Sequence, residues 1–173
     1  MTVWQTRNLD LLDQLTDLLQ RLPDAAYREP LAVLHGHSAG QHTRHVVEFY
    51  ECLLANFDGG TVNYDARLRN PLLETNPEAV LTTLHHIARR LERLPAEAPL
   101  RLETEECGPV STSLSRELCY LVEHTVHHLA ILKIALNVAL PHFFIPETFG
   151  VAHSTLRFRE QGAGSVEQGA TAI

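Results

Sequence analysis

The sequence predicts an all-α protein whose single domain is a four-helix bundle. Four long stretches carry apolar residues at helical spacing, residues that start or stop helices flank them, and long connections precede the third and fourth. A chain of 173 residues is long enough to bury a core without cross-links. We assign residues 1–160 to this domain and expect the Gly/Ala-rich tail, residues 161–173, to be disordered.

The first two predicted helices have clear ends. The first runs from Thr6 to Leu22 with a stripe of leucines along one face, and Pro23 discourages its continuation. The second follows Ser38, whose hydroxyl is suited to cap a helix N-terminus, and it stops before the glycine pair 59–60. Both stretches therefore read as amphipathic helices that bury one face.

The third predicted helix is separated from the second by a long connection, "TVNYDARLRNPLLETN". Asn76 is its N-cap, Pro77 occupies its first turn and Pro95 ends it. A connection of this length can cross the bundle, which would make the second and third helices parallel.

The fourth predicted helix is the longest and the most apolar. It begins near Ser113 or Ser115 and continues to about Leu140, before a proline. The segment before it, "APLRLETEECGPVSTS", has turn residues at its centre, so a short hairpin is expected around residues 107–109.

Composition excludes several functional classes. The chain has 14 Lys+Arg against 21 Asp+Glu, a net charge of −7, which argues against a nucleic-acid-binding protein. No apolar run is long enough for a membrane span, and charges interrupt the N-terminus where a signal peptide would be apolar. Three cysteines without a CxxC pair indicate reduced thiols, so we expect a cytoplasmic protein.

Histidine is the residue type that stands out, with 11 in the chain. His124 and His128 lie on the fourth predicted helix at positions i and i+4, on its apolar side, where two imidazoles can share one metal ion. Zinc peptidases use this spacing in HExxH, but here the Glu is missing, so peptidase chemistry is disfavoured. His127 falls nearer the polar edge of the helix.

A catalytic zinc usually takes a third protein ligand, and the second predicted helix offers His42 and His45. A helical wheel places His42 closer to the apolar direction set by Val46 and Tyr50, which slightly favours His42. The remaining histidines of the helices and loops are expected to be solvated or structural; they include His85, His86, His142 and His153.

Two segments together resemble the DinB/YfiT-like superfamily of metal-dependent four-helix bundles. They are "SAGQHTRHVVEFYECLL" and, about eighty residues later, "RELCYLVEHTVHHLAILK", and the resemblance covers roughly residues 6–140. It implies up-down-down-up connectivity with a long crossover between helices 2 and 3. It also implies a divalent metal site formed by His45, His124 and His128, because the family's helix-2 histidine precedes an aliphatic residue as His45 precedes Val46. His42 remains the alternative ligand or a neighbour of the site.

The resemblance also implies a function. Some members of the superfamily are transferases or isomerases that use a low-molecular-weight thiol, so we expect a metal-dependent transferase that activates such a thiol for a small-molecule substrate. The alternatives are a metal-dependent hydrolase and a non-catalytic metal-binding or stress-response bundle. Three imidazoles suit zinc or nickel, with manganese or iron as further candidates. A homodimer is expected from relatives.

The long connection also carries two arginines, Arg67 and Arg69. They could clamp a carboxylate or phosphate of a substrate, or they could pair with nearby acids and fix the loop. We favour the second interpretation.

Overall fold

The computed structural model describes residues 1–106 and 108–168. Within them, the chain forms seven α-helices and one small three-stranded sheet. The structure is therefore predominantly helical, whereas the sequence predicted the all-α class with a short hairpin. The helices are α1 (Val3–Arg21), α2 (Asp24–Arg28), α3 (Ala39–Asn56), α4 (Leu72–Thr75), α5 (Pro77–Arg93), α6 (Leu114–Ala139) and α7 (His153–Gln168). The strands are β1 (Thr61–Val62), β2 (Pro99–Leu102) and β3 (Val110–Ser113), and 3₁₀ turns cover Ala32–Leu34 and Phe57–Gly59.

The four long helices enclose the hydrophobic core. α1 contacts α5 and α6, and α3 contacts the same two helices. Their apolar stripes meet in the centre, where Leu15, Leu53 and Leu121 are fully buried. Burial of these leucine-rich faces is the main source of stability for helices of this kind.

Side-chain caps fix the starts of the helices that carry the histidines. Ser38 Oγ accepts a hydrogen bond from the Gln41 backbone N–H at 3.1 Å, and Gln41 Oε1 accepts one from the Ser38 N–H at 3.0 Å. This capping box starts α3, Asn76 caps α5 and Ser113 caps α6, as the sequence predicts. The caps set the register of α3 and α6 along the chain.

The sheet joins the two long connections. β2 and β3 are antiparallel, with Leu100 opposite Thr112, which confirms the predicted hairpin before α6. β1 pairs in parallel with β2, and this strand was not predicted because two residues give no periodic pattern. Since β1 directly follows α3 and its 3₁₀ turn, the pairing holds the start of the 61–76 connection beside the hairpin.

The chain after α6 packs along the outside of α1 and α6. The Gly150 N–H donates to Gln14 Oε1 at 3.0 Å, and Phe149 is buried. α7 continues to Gln168, so helical backbone covers residues 161–168 of the tail that was expected to be disordered. That stretch contains no proline, and its Ala, Glu and Gln residues are compatible with a helix. Residues 169–173 lie outside the described residues, and the division into domain and tail stays a prediction.

No helix among the described residues is long and apolar enough to cross a membrane. Cys52 and Cys119 are free thiols.

Candidate metal centre

α3 and α6 bring three histidines into one cluster. His45, His124 and His128, here called the histidine triad, each offer one ring nitrogen, and these nitrogens lie within 4.8 Å of one another. His45 Nε2 is 3.1 Å from His124 Nε2, and the three ring centroids are 4.6 to 5.0 Å apart. The i, i+4 spacing places the two α6 histidines on one face, and contact between α3 and α6 supplies the third.

His42 lies beside the triad but is not part of it. Its Nδ1 is 3.2 Å from His128 Nδ1, while the group of mutually close nitrogens includes His45 instead. The helical wheel favoured His42 because a wheel shows only the direction of the apolar face, and His42 lies closer to that direction than His45 does. The triad forms at the seam between α3 and α6, where the side chain facing the neighbouring helix, His45, is better placed.

Burial keeps the triad neutral. Desolvation lowers the pKa of His45 to about 4, and the nearby Arg67 guanidinium adds to the effect. Desolvation likewise lowers the pKa of His124 to about 4 and that of His128 to about 3, with repulsion between the neighbouring rings contributing. At neutral pH the cluster therefore presents uncharged imidazoles, the form of histidine that binds metals.

An aromatic stack orients His124. The Phe49 ring lies on His124 with centroids 4.0 Å apart and planes at 23°, and Tyr64 also stacks on Phe49, with centroids 5.1 Å apart and planes at 12°. The Tyr64 hydroxyl donates to Glu117 Oε2 at 2.9 Å, and Glu117 is fully buried. His124 Nδ1 is buried without a hydrogen-bond partner, so ring packing holds this side of the imidazole while Nε2 lies 3.1 Å from His45 Nε2.

Arg67 comes from the long connection and ends next to the triad. Its Nη2 lies 3.5 Å from His45 Nδ1, its Nη1 donates to the Tyr64 carbonyl at 2.9 Å, and its guanidinium stands 4.9 Å from the Phe49 centroid. Its Nε is 3.7 Å from a carboxylate oxygen of Glu48, which is buried. Arg67 therefore pairs with an acid and packs on the site, as the favoured interpretation of this residue predicts, although the acid comes from α3.

Glu48 joins two arginines across α3. Besides its contact with Arg67, Glu48 has a second ion pair, in which its Oε1 lies 3.5 Å from Arg44 Nε. The same oxygen accepts a hydrogen bond from the Asn70 backbone N–H at 2.8 Å. Arg44 also pairs with Glu74 at 2.5 Å. This network ties the 61–76 connection to α3 beside the triad.

An open cleft of about 290 Å³ leads to the triad. Its lining contains two triad members together with neighbouring polar side chains: His37, Gln41, His42, Arg44, His45 and His128. A larger cavity of about 420 Å³ lies between α1 and α5, contains His85 and none of the triad, and offers no comparable ligand set. The cleft gives a small molecule direct access to the histidines.

Of the other histidines, His37 and His42 line the cleft, and none of the rest offers a ring nitrogen to the triad among the described residues. His85, His86 and His142 are exposed, and His127 is exposed with its ring 5.1 Å from that of His128. In the part of the chain that the structure describes, the triad is the one group of His, Cys, Asp or Glu residues with the spacing of a metal site.

Sequence reasoning missed Glu48, Phe49 and Glu117, which support the centre. Nothing in their spacing distinguishes them from ordinary residues of an amphipathic helix.

The donor set fits a divalent transition metal. Nitrogens of three neutral imidazoles converge, and two of them are only 3.1 Å apart. The Nε2 atoms of His45 and His124 can both donate a lone pair to one metal ion when neither of them carries the proton. Three protein ligands are also the usual complement of a catalytic zinc site, which keeps a further position for substrate.

A sequence model described as the DinB family matches residues 6–136 of the chain. Comparisons of the chain with curated proteins and with solved structures found no match.

Proposed function

The chain belongs to the DinB family, and we propose that it is a metal-dependent transferase that activates a low-molecular-weight thiol. The observation that carries the proposal is the convergence of the triad nitrogens within 4.8 Å at the end of an open cleft. Zinc or nickel is the proposed metal, because imidazole ligands suit both, and iron or manganese are the further candidates.

In this proposal His45, His124 and His128 hold the metal through ring nitrogens. When bound, a divalent ion supplies positive charge that lowers the pKa of a coordinated thiol or water. The three neutral imidazoles leave that charge uncompensated, while the Arg67 guanidinium 3.5 Å from His45 is paired with Glu48. Phe49 stacks on one face of His124 and shields it from water, while the cleft that His45 and His128 line admits the substrate.

The sequence between the two α6 ligands, His124 and His128, favours thiol transfer over peptidase-like hydrolysis. Thr125 occupies the position where HExxH enzymes have their glutamate, and neither Val126 nor His127 supplies a carboxylate, so the helix provides no glutamate general base between the ligands. A thiol ionises more easily than water and, once ionised, needs no base at the moment of attack, whereas un-ionised water does. A metal-dependent hydrolase and a non-catalytic metal-binding bundle remain the alternatives.

We also propose the finer architecture: a four-helix bundle of α1, α3, α5 and α6 with up-down-down-up connectivity. The contacts of both α1 and α3 with α5 and α6 support a ring of four helices, and the long connection 61–76 is compatible with a crossover. A homodimer is the proposed assembly, and sedimentation at micromolar concentration tests it.

The decisive experiment uses untagged protein, so that no added histidines bind metal. Elemental analysis should find about one equivalent of a divalent metal, and a small electrophile should be converted only when both metal and an added thiol are present. Loss of turnover on chelation and its return with one metal would support the transferase. Metal-dependent turnover without thiol would identify the hydrolase, metal binding without turnover the binding protein, and absence of metal binding would refute the site.

A further inference from the structure

His42 makes a contact that the triad itself does not explain. Its Nδ1 lies 3.2 Å from Nδ1 of His128, and the two rings are tilted at 50° with centroids 5.4 Å apart. Both side chains are half-buried. Two nitrogens at this distance form a hydrogen bond only if one of them carries the proton and the other offers its lone pair.

The direction of this hydrogen bond decides whether His128 can bind a metal. If His42 donates, His128 accepts at Nδ1, so its proton sits on Nε2 and that nitrogen has no lone pair for a metal. If His128 donates from Nδ1, its Nε2 is free. Because Nδ1 is occupied by His42 in either case, Nε2 is the nitrogen of His128 that remains for ligation.

His42 is not placed to be a fourth ligand. The described residues contain one group of mutually close ligand atoms, and it consists of His45, His124 and His128 without His42. The hydrogen-bonding contact of His42 with the triad is the one to His128. A ligand histidine usually donates its second ring N–H to an acceptor, which fixes its tautomer and its orientation.

We propose that His42 is a positioning residue that accepts the Nδ1 proton of His128 and thereby holds its Nε2 in the metal-binding tautomer. The inference rests on the proposed function only in that the triad binds a metal. His42 thus has the position of a neutral acceptor, where many metal sites have a carboxylate or a carbonyl. An uncharged acceptor keeps the centre positive, which suits an anionic ligand of the metal.

The chain offers closely matched variants. Asn places its Oδ1 on Cγ, as His places Nδ1, so His42→Asn keeps an acceptor at the same point, whereas His42→Leu removes it at similar size. His37 is the control position because it lines the same cleft and its ring lies 6.5 Å from that of His42, yet its Nδ1 pairs with Gln41 at 3.0 Å. His37→Leu therefore changes the cleft without touching His128.

The first measurement is a Zn²⁺ titration of the untagged full chain against a competing chelator. We expect His42→Leu to bind Zn²⁺ about 10- to 100-fold more weakly than the wild type, which is the usual effect of removing such a partner. His42→Asn should recover most of the loss, and His37→Leu should bind like the wild type. Circular dichroism of each metal-free variant verifies that it is folded.

The second measurement needs no variant. Nitrogen-15 NMR of the Zn²⁺-loaded wild type should show a protonated Nδ1 on His128 and an unprotonated Nδ1 on His42. Unchanged affinity of His42→Leu, an equally weak His42→Asn, or a Zn²⁺-bound nitrogen on His42 would each overturn the proposal. A wild type that binds no Zn²⁺, Ni²⁺, Mn²⁺ or Fe²⁺ would instead refute the proposed function, so the two failures are distinguishable.

Discussion

Replacing Phe49 by leucine tests whether ring stacking orients a metal ligand. Phe49 is 7% exposed and stacks on two rings, 4.0 Å from the His124 centroid and 5.1 Å from the Tyr64 centroid. Leucine fills a similar volume, so the packing cost of Phe49→Leu is small compared with a change to alanine. What the variant loses are the ring contacts of Phe49: the two stacked ones with His124 and Tyr64, the tilted ones with His45 and Tyr120, and the Arg67 guanidinium over the ring.

The magnitude is worked from the two stacked contacts, which have the most nearly parallel rings and include the shortest centroid distance. An aromatic pair contributes about 0.5–1.5 kcal/mol beyond its buried area, so Phe49→Leu should lower the free energy of unfolding by about 1–3 kcal/mol. Two of its contacts bear on the proposed ligands, a tilted one with His45, whose ring centroid is 4.8 Å away, and the stacked one with His124. The stacked contact with His124 is the closer of the two. If that contact is fully expressed in metal binding, about 0.5–1.5 kcal/mol corresponds to a Zn²⁺ affinity about 2- to 13-fold weaker.

Chelator competition measures the affinity, and urea unfolding of the metal-free protein measures the stability. Phe57→Leu is the control, because Phe57 is a partly buried ring of the core that lies in the turn after α3, away from the triad. It should lower stability and leave Zn²⁺ affinity unchanged. If Phe49→Leu also lowers only stability, stacking does not orient His124 and the reasoning is refuted.

Three further outcomes are expected. His128→Ala should lose the single equivalent of bound metal and His86→Ala should retain it, by elemental analysis; retention by both would exclude the triad. The metal-free protein should lose stability as the pH falls from about 6.5 towards 4. The folded-state pKa values of the triad, about 3 to 4, lie below the ordinary histidine value of 6.5, so the unfolded chain binds more protons in this range. Melting temperatures that do not change with pH would contradict this. Tyr64→Phe removes a donor to the buried Glu117 and should cost about 1–3 kcal/mol in urea unfolding, more than Tyr120→Phe, whose side chain is only half-buried; equal losses would argue against the hydrogen bond.

Local signals in the sequence were sufficient for the helices and for the α6 half of the centre. Ser38, Asn76 and Ser113 cap helices where their hydroxyl or amide groups suggested. The spacing of His124 and His128 determines that both lie on one face of α6 whatever surrounds that helix. Such features depend on neighbours within one turn, which the sequence displays directly.

The choice between His42 and His45 needed tertiary information. A helical wheel gives the direction towards the bundle centre but not the position of the seam with α6, so it pointed to His42. The family pattern indicated His45, which is the α3 histidine in the triad. Arg67 reaches the site because β1 and the contacts of Glu48 fold the connection back on α3, and neither can be read from local periodicity.

The charges around the triad bear on what it can bind. Arg67 and Arg44 are balanced by the carboxylates of Glu48 and Glu74, so the network beside the triad is close to neutral. The triad adds no charge of its own, because burial keeps its imidazoles unprotonated at neutral pH. A divalent ion held there would keep almost all of its charge, and a half-buried site strengthens its attraction for an anion. This favours a ligand that becomes anionic on binding, and a thiol, with an ordinary pKa of about 8.5, reaches that state more easily than water does.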